Sequence, residues 1–158
     1  MRVGMGYDSH RLGPDRPLIL GGIHVPYELG LIGHSDADVL IHAVVDALLG
    51  AAGLGDIGIL FPDSDPQYKD RSSAYFLETV GGMLSKHGFS IINIDATVIA
   101  QAPKLSPHFP RMIARIAEIL KIAPSQIQIK AKTSEGMGLI GQGEGMASFA
   151  VALVQEKT

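Results

Sequence analysis

Glycine and proline set the architecture of this chain, because they cut its 158 residues into short segments that alternate between strand-type and helix-type patterning. Nineteen glycines make up about 12% of the sequence, against about 7% in ordinary domains. That excess implies loops that need positive φ or a close approach of the backbone to something else. Between the breaks, Arg2 to Ser9 reads as a first strand, and Leu18 to Leu20 with His24 to Pro26 flank Gly21-Gly22 as a hairpin. Ser35 is placed to N-cap a helix running to about Ala52, with Asp36 and Asp38 in its first turn. Leu40, Val44, Ala47, Leu48 and Ala51 recur at helical spacing, so one face of this helix packs on a sheet. Gly53 to Asp70 has no period and reads as a long loop of the functional kind. A second helix, Ser72 to His87, leads through Gly88 into a strand from Ser90 to Ala100 that ends before Pro103. A third helix spans about Pro107 to Lys121, and strands Ile127 to Thr133 and Met146 to Val154 finish the chain. The expected fold is α+β: a single domain over residues 1–158, with a mixed β-sheet, hairpins at both ends and helices packed on one face.

The same sequence excludes several function classes. Its length supports one core. The longest apolar runs are interrupted, as Ile91 to Ala102 is by Asn93 and Asp95, well short of the roughly 20 residues that cross a bilayer. Met1-Arg2-Val3-Gly4 does not open a signal peptide, so a cytoplasmic location is expected. Net charge is −3 and the basic residues do not cluster, which argues against nucleic acid as a partner. Zero cysteines remove disulfides, thiolate zinc sites and a cysteine nucleophile.

Several groupings have the residue types of a reaction centre. Asp8 and His10 sit at i and i+2 of a strand, so both point to one face. His42 lies on the helix expected beside that strand, and Asp, His and His are the donors a catalytic zinc uses with a fourth position open. Asp46, one turn after His42, is placed to orient its imidazole. A histidine on an apolar helix face is commonly a hydrogen-bonded core residue, so both readings stand on spacing alone. His34 and Ser35 precede a helix N-terminus, where backbone N–H groups favour an anion, although a plain cap also explains Ser35. Asp56, Asp63 and Asp65 lie in the long loop, where carboxylates either accept from sugar hydroxyls or make ordinary turns. Lys104 follows a buried strand, near enough to serve a base or a phosphate. Thr133-Ser134-Glu135-Gly136 closes another strand with hydroxyls and one carboxylate suited to magnesium. The glycines from Gly136 to Gly145 lack the Gly-Lys-Ser/Thr ending of a P-loop.

Taken together, Gly6-Tyr7-Asp8-Ser9-His10, Gly33-His34-Ser35-Asp36-Ala37-Asp38, His42-Ala43, Asp46 to Ala51, Gly55-Asp56-Ile57-Gly58, Phe61-Pro62-Asp63-Ser64-Asp65, Ala100-Gln101-Ala102-Pro103-Lys104, Lys130 to Glu135 and Gly143-Glu144-Gly145 form an ordered set spanning the chain. This set resembles the 2-C-methyl-D-erythritol 2,4-cyclodiphosphate synthase family of the non-mevalonate isoprenoid pathway. The resemblance implies a homotrimer with active sites between subunits, binding a small cytidine diphosphate substrate, with no nucleic acid and no membrane partner. It implies zinc (Zn2+) on Asp8, His10 and His42, and magnesium or manganese (Mg2+ or Mn2+) on Glu135. His34 and Thr133 become transition-state donors. Asp8, His10, His34 and Ser35 would contact substrate, with Ser35, Asp63 and their loop neighbours Phe61, Pro62, Ser64 and Asp65 on the methylerythritol phosphate end. Asp56, Ile57 and Gly58 would meet the ribose. Ala100, Gln101, Ala102, Pro103, Lys104, Leu105 and Ser106 would form the cytosine pocket, and Lys132, Thr133, Ser134 and Glu135 would line the diphosphate. Leu139 and Gln142 stand where the family pattern has an aromatic residue and an arginine near the three-fold axis. Both are candidate binding residues, although Gln142 lacks the charge to hold an isoprenoid diphosphate. Two rival functions share the donors: a zinc phosphohydrolase that activates water beside Glu135, and a nucleotide- or isoprenoid-binding module without catalysis.

Overall fold

Alternation along the first strand decides how the rest packs. In the computed structural model, which describes residues 1–157, β1 runs from Arg2 to Gly13. Gly4 and Gly6 are buried on one face, while Val3, Met5 and Tyr7 are exposed on the other. The helix α1 (Val39–Ala52) lies on the buried face. A Cβ added to Gly6 would stand 1.9 Å from the Ala43 carbonyl oxygen, and one on Gly4 would stand 2.1 Å from that of Ala47. Strand and helix backbones therefore touch with no side chain between them, and Ala43, Ala47 and Ala51 keep the helix side of the contact equally thin. Farther along β1, Asp8 and His10 share this face. His42, adjacent to Ala43, is carried to them by the same contact.

The main sheet has the order β4-β1-β7-β5-β6, with β4 at Gly30–Ile32, β5 at Phe89–Ile99, β6 at Ile127–Lys132 and β7 at Gly145–Glu156. Only β5 and β6 pair in parallel. The Gly21-Gly22 hairpin forms as expected, from β2 (Leu18–Leu20) and β3 (Ile23–Val25), but as a separate two-stranded sheet. The expected C-terminal hairpin does not form. After β6 the chain makes one turn of helix, α5 (Gly138–Gly141), and β7 inserts between β1 and β5, where Met146, Ala150, Ala152 and Val154 are buried. An edge position would leave this apolar strand half exposed.

The helices α3 (Ser73–Lys86, capped by Ser72) and α4 (Phe109–Leu120) agree with expectation to within two residues. Helix α1 differs in two ways. All of its residues except Asp46 and Gly50 are buried, because α3 packs over the side that the sheet leaves open. Its N-cap is Asp38, not Ser35. One Asp38 oxygen accepts the Ile41 and Gly21 N–H groups at 3.0 Å each, and the other accepts that of Gly22 at 2.7 Å. A single carboxylate thus starts the helix and ties the hairpin to it. Burial, reinforced by the charge of Asp36, pushes the Asp38 carboxyl up to about 6 against these three donors. The segment expected as a featureless loop contains a short turn, α2 (Ile57–Leu60), capped by Asp56, and a 3₁₀ turn at Pro66–Tyr68 capped by Asp65. Among the described residues no helix is long and apolar enough to cross a membrane.

Replacing Gly6 with Ala should lower stability in urea by about 2 kcal/mol or more, the scale of a buried overpacking; an unchanged midpoint would show that α1 does not rest on the strand backbone. A second expectation concerns pH. Native Asp38 holds its proton more tightly than the unfolded chain does, so its contribution is greatest near pH 4 and declines as pH rises through about 6. The stability difference between wild type and Asp38→Asn should therefore shift by about 3 kcal/mol against wild type over that range, at about 1.4 kcal/mol for each unit of displacement.

Candidate active site

Three side chains converge where β1 leaves α1. Asp8 Oδ2 lies 2.9 Å from His10 Nε2 and 2.9 Å from His42 Nδ1, and the two ring nitrogens are 3.3 Å apart. One donor atom from each residue falls within 4.8 Å of the other two. Burial alone would push the Asp8 carboxyl up, but hydrogen bonds from His10 and His42, together with their charge, hold it well below the usual carboxylate range. For His10, burial opposes the charge, yet Asp8 outweighs it and the ring is pushed up. His10 Nδ1 faces the Ile32 carbonyl oxygen at 3.0 Å, an acceptor, so Nδ1 carries hydrogen and Nε2 is left to the cluster. Two imidazole nitrogens and a carboxylate oxygen gathered at one point are a donor set that fits a divalent cation of the zinc type, which would take the place of the protons they share and leave one side open.

That open side faces a cavity of about 550 Å³ lined by Asp8, His10, His34, Ser35, His42, Ile57, Gly58, Phe61, Pro62 and Asp63. Tyr68 and Phe76 complete its wall. Phe61 and Phe76 pack at 4.6 Å between ring centres and make that part of the wall apolar. His34 Nδ1 is 3.9 Å from Asp63 Oδ1. The 33–35 segment is held from behind by Arg16, which donates to the carbonyl oxygens of Gly33 at 2.9 Å and Ser35 at 2.6 Å.

The nucleotide-side candidates gather elsewhere. Ala100, Gln101, Ala102, Pro103, Lys104, Leu105 and Ser106 line a second cavity of about 340 Å³ with Lys132 and Thr133. Thr133 Oγ1 donates to Glu135 at 2.6 Å. This cavity belongs to the β5–β6 edge, and β7 separates β5 from β1 in the sheet. The two cavities share no lining residue. A third, of about 590 Å³, takes in Ser134, Leu139, Tyr7, Arg11 and Ile140. Gln142 and Glu135 are exposed and line none of the three.

Several expected roles change. Asp46 does not orient His42: its Oδ1 accepts the Ile57 N–H at 2.8 Å and so anchors α2. Asp56 and Asp65 cap turns through Ile59 and Gln67, and Ser64 and Asp65 do not line the metal-side cavity. The groups that do hold His42 Nε2 are Ser73 at 2.8 Å and Ser35 at 3.2 Å. Nothing in the spacing pointed to Ser73, which is 31 residues away and looks like one half of a helix-capping Ser-Ser pair. Tyr68 and Phe76 were likewise indistinguishable from core aromatics.

Residues 1–155 match the profile of the YgbB family. A protein of Pelotomaculum thermopropionicum named 2-C-methyl-D-erythritol 2,4-cyclodiphosphate synthase is 58% identical over 156 residues, covering 99% of this chain and 96% of its own. One of the same name from Clostridium perfringens is 57% identical over 154 residues, with 98% and 99% covered. Among solved structures, an IspF–CDP complex from Plasmodium falciparum superposes with a TM-score of 0.87 at 38% identity, covering 99% of this chain and 97% of that one. The bifunctional IspDF of Campylobacter jejuni superposes with a TM-score of 0.95 at 42% identity over 98% of this chain, which spans 42% of that larger protein.

Removing the Asp46 carboxylate tests its reassignment. In Asp46→Ala the Ile57 amide should exchange several-fold faster, matching the loss of about 1 kcal/mol of hydrogen bonding, while zinc affinity stays at the wild-type value. Unchanged exchange with weakened zinc binding would return Asp46 to the metal centre.

Proposed function

This chain belongs to the YgbB family, and from that membership we propose how its residues perform the reaction it catalyses, the conversion of 4-diphosphocytidyl-2-C-methyl-D-erythritol 2-phosphate to 2-C-methyl-D-erythritol 2,4-cyclodiphosphate in the non-mevalonate isoprenoid pathway. It is an enzyme of the lyase type. An oxygen of the substrate's 2-phosphate forms a bond to the β-phosphorus, the bond from that phosphorus to the oxygen bridging to the α-phosphate breaks, and CMP leaves. No water is consumed. The solved relatives that hold CDP support a cytidine nucleotide as the ligand, and the hydrolytic alternative gains no support from the named relatives.

The observation that carries the reading is the convergence of Asp8, His10 and His42 at the floor of a cavity walled by His34 and Ser35. These three residues would hold zinc; Glu135, with substrate phosphates, would hold magnesium or manganese. When bound, the cations supply Lewis-acid polarisation and charge neutralisation at the diphosphate. The chain's own task is positioning. Asp8, His10, His34 and Ser35 bound the reacting phosphates, with His34 donating to charge that develops there. Asp63, Phe61 and Pro62 enclose the methylerythritol phosphate end, while Ser64 and Asp65 shape the turn that carries them. Asp56, Ile57 and Gly58 meet the ribose, while Ala100 to Ser106, with Lys104 at the rim, take the cytosine. Lys132 and Ser134 flank the diphosphate. Thr133 donates its hydroxyl hydrogen bond to Glu135; with Glu135 serving as a cation ligand, that hydroxyl would be free to donate to the phosphate instead. Leu139 and Gln142 lie beyond the reacting centre, and Gln142 offers no charge to a second diphosphate.

A homotrimer joins the two halves. The metal-side and nucleotide-side cavities occupy different parts of one chain, so a complete site needs the nucleotide side of a neighbour. The outer face of β1 and β7 supports this, because Val3, Met5, Tyr7, Phe149 and Val151 form an exposed apolar strip, with Tyr7 and Phe149 4.8 Å apart across the strands. We read residues 1–158 as one catalytic domain acting in the cytoplasm, three to an assembly.

Phosphorus NMR of the protein with the diphosphocytidyl substrate and magnesium should show cyclic diphosphate and CMP, and a zinc chelator should abolish both signals. Linear phosphates carrying solvent oxygen would instead mark a hydrolase. His42→Ala should lose turnover while remaining folded and trimeric by light scattering; near wild-type cyclisation by this variant would remove zinc from the mechanism. Met5→Asp should shift the scattering mass toward one chain.

A further inference from the structure

Both nitrogens of the His42 ring are engaged, and the partner of Nε2 fixes a proton on that nitrogen. Nδ1 faces Asp8 at 2.9 Å and His10 at 3.3 Å, while Nε2 faces Ser73 Oγ at 2.8 Å. Ser73 is the first residue of α3 and is fully buried. Its one hydroxyl proton goes to Asp36 Oδ1, and Asp36 Oδ2 accepts the Ser73 N–H at 3.0 Å. A hydroxyl that has donated to a carboxylate can only accept at its remaining positions. Nε2 of His42 is therefore the donor to Ser73, which leaves Nδ1 as the nitrogen that can give its lone pair to a cation held with Asp8 and His10. Ser35 also approaches Nε2, but at 3.2 Å and with its oxygen already accepting the Ala37 N–H.

From this we infer that Ser73, held by Asp36, is a positioning residue of the metal centre: the chain Asp36–Ser73–His42 sets the tautomer and ring orientation of His42 and makes Nδ1 a stronger donor to a divalent cation. Outer partners of this kind orient metal-binding histidines in general. Ser73 is not needed for the helix start, because Ser72 caps α3 by accepting the Ala74 N–H. Asp36 is committed to the same chain, since one residue of its loop binds both the hydroxyl and the backbone of Ser73. The inference rests on the metal reading of Asp8, His10 and His42, and it adds two residues that touch neither substrate nor metal.

The test measures zinc affinity by chelator competition in the full-length wild type and in His42→Ala, Ser73→Ala, Ser73→Thr and Ser72→Ala, with thermal melting of each. Ser73→Ala should bind zinc about 10- to 100-fold more weakly, the range found when such a partner is lost. Ser73→Thr, which keeps the hydroxyl, should recover most of that affinity, and Ser72→Ala should lower only the melting temperature. Wild-type affinity in Ser73→Ala, or equal losses in Ser73→Ala and Ser72→Ala, would overturn the inference while leaving the metal site intact. Equal zinc binding by wild type and His42→Ala would overturn the metal reading together with it. A measurement on the wild-type protein alone covers variants that fail to fold: ¹⁵N histidine spectra with zinc should show His42 protonated at Nε2 and metal-bound at Nδ1, and the reverse assignment overturns the proposal.

Discussion

Direct backbone contact between β1 and α1 is the constraint on which the site depends. Two glycines on one face of a strand let a helix approach to a distance that any Cβ would forbid, as the 1.9 Å and 2.1 Å separations at Gly6 and Gly4 show. Farther along the same face come Asp8 and His10, and the helix residue next to the contact is His42. The ligand set is thus the continuation of a packing interface. Its short distances need no long side chains reaching across a gap, and the rigidity of strand and helix passes directly to the donors.

The structure also changes the meaning of the acidic balance. With 16 acidic and 13 basic residues, the chain is a poor match on paper for an anionic substrate. Several of its carboxylates, however, are turned onto the backbone. Asp36, Asp38, Asp46, Asp56 and Asp65 each accept at least one main-chain N–H. These groups hold loops and helix starts in place, and local N–H dipoles offset their charge. Net charge counts them as repulsive, whereas geometry shows them committed to the scaffold that presents His34, Ser35 and the candidate metal ligands.

How much of this was legible follows from the range of each signal. Period two in β1 placed Asp8 and His10 on one face, because that pattern is local, whereas His42 was joined to them only through the expected packing of its helix and the family resemblance. The run from Ala100 to Ser106 was legible as a block and lines one cavity. Asp46 was misread because spacing along a helix gives direction but not the competitor: the Ile57 amide, brought back by a turn, claims that carboxylate. Ser35 lost the cap to Asp38 for a similar reason, since only Asp38 meets the hairpin amides at the same time as Ile41. Ser73 was invisible, because its role exists only once α3 folds against α1. The place of β7 between β1 and β5 is another non-local outcome, decided by an apolar strand's need for two neighbours.

Strand β1 assigns its alternate residues to different ends: even positions lie against the helix and carry the candidate metal ligands, and odd positions form the apolar strip proposed to face other subunits. Inserting or deleting a single residue before Asp8 would exchange the two sets, turning ligands outward and apolar side chains into the cluster. Substitutions can tune either face separately, but changes of length cannot. The spacing from Gly4 to His10 is therefore a reading frame that assembly and chemistry share, and lineages of this chain are expected to vary in its letters and not in its count.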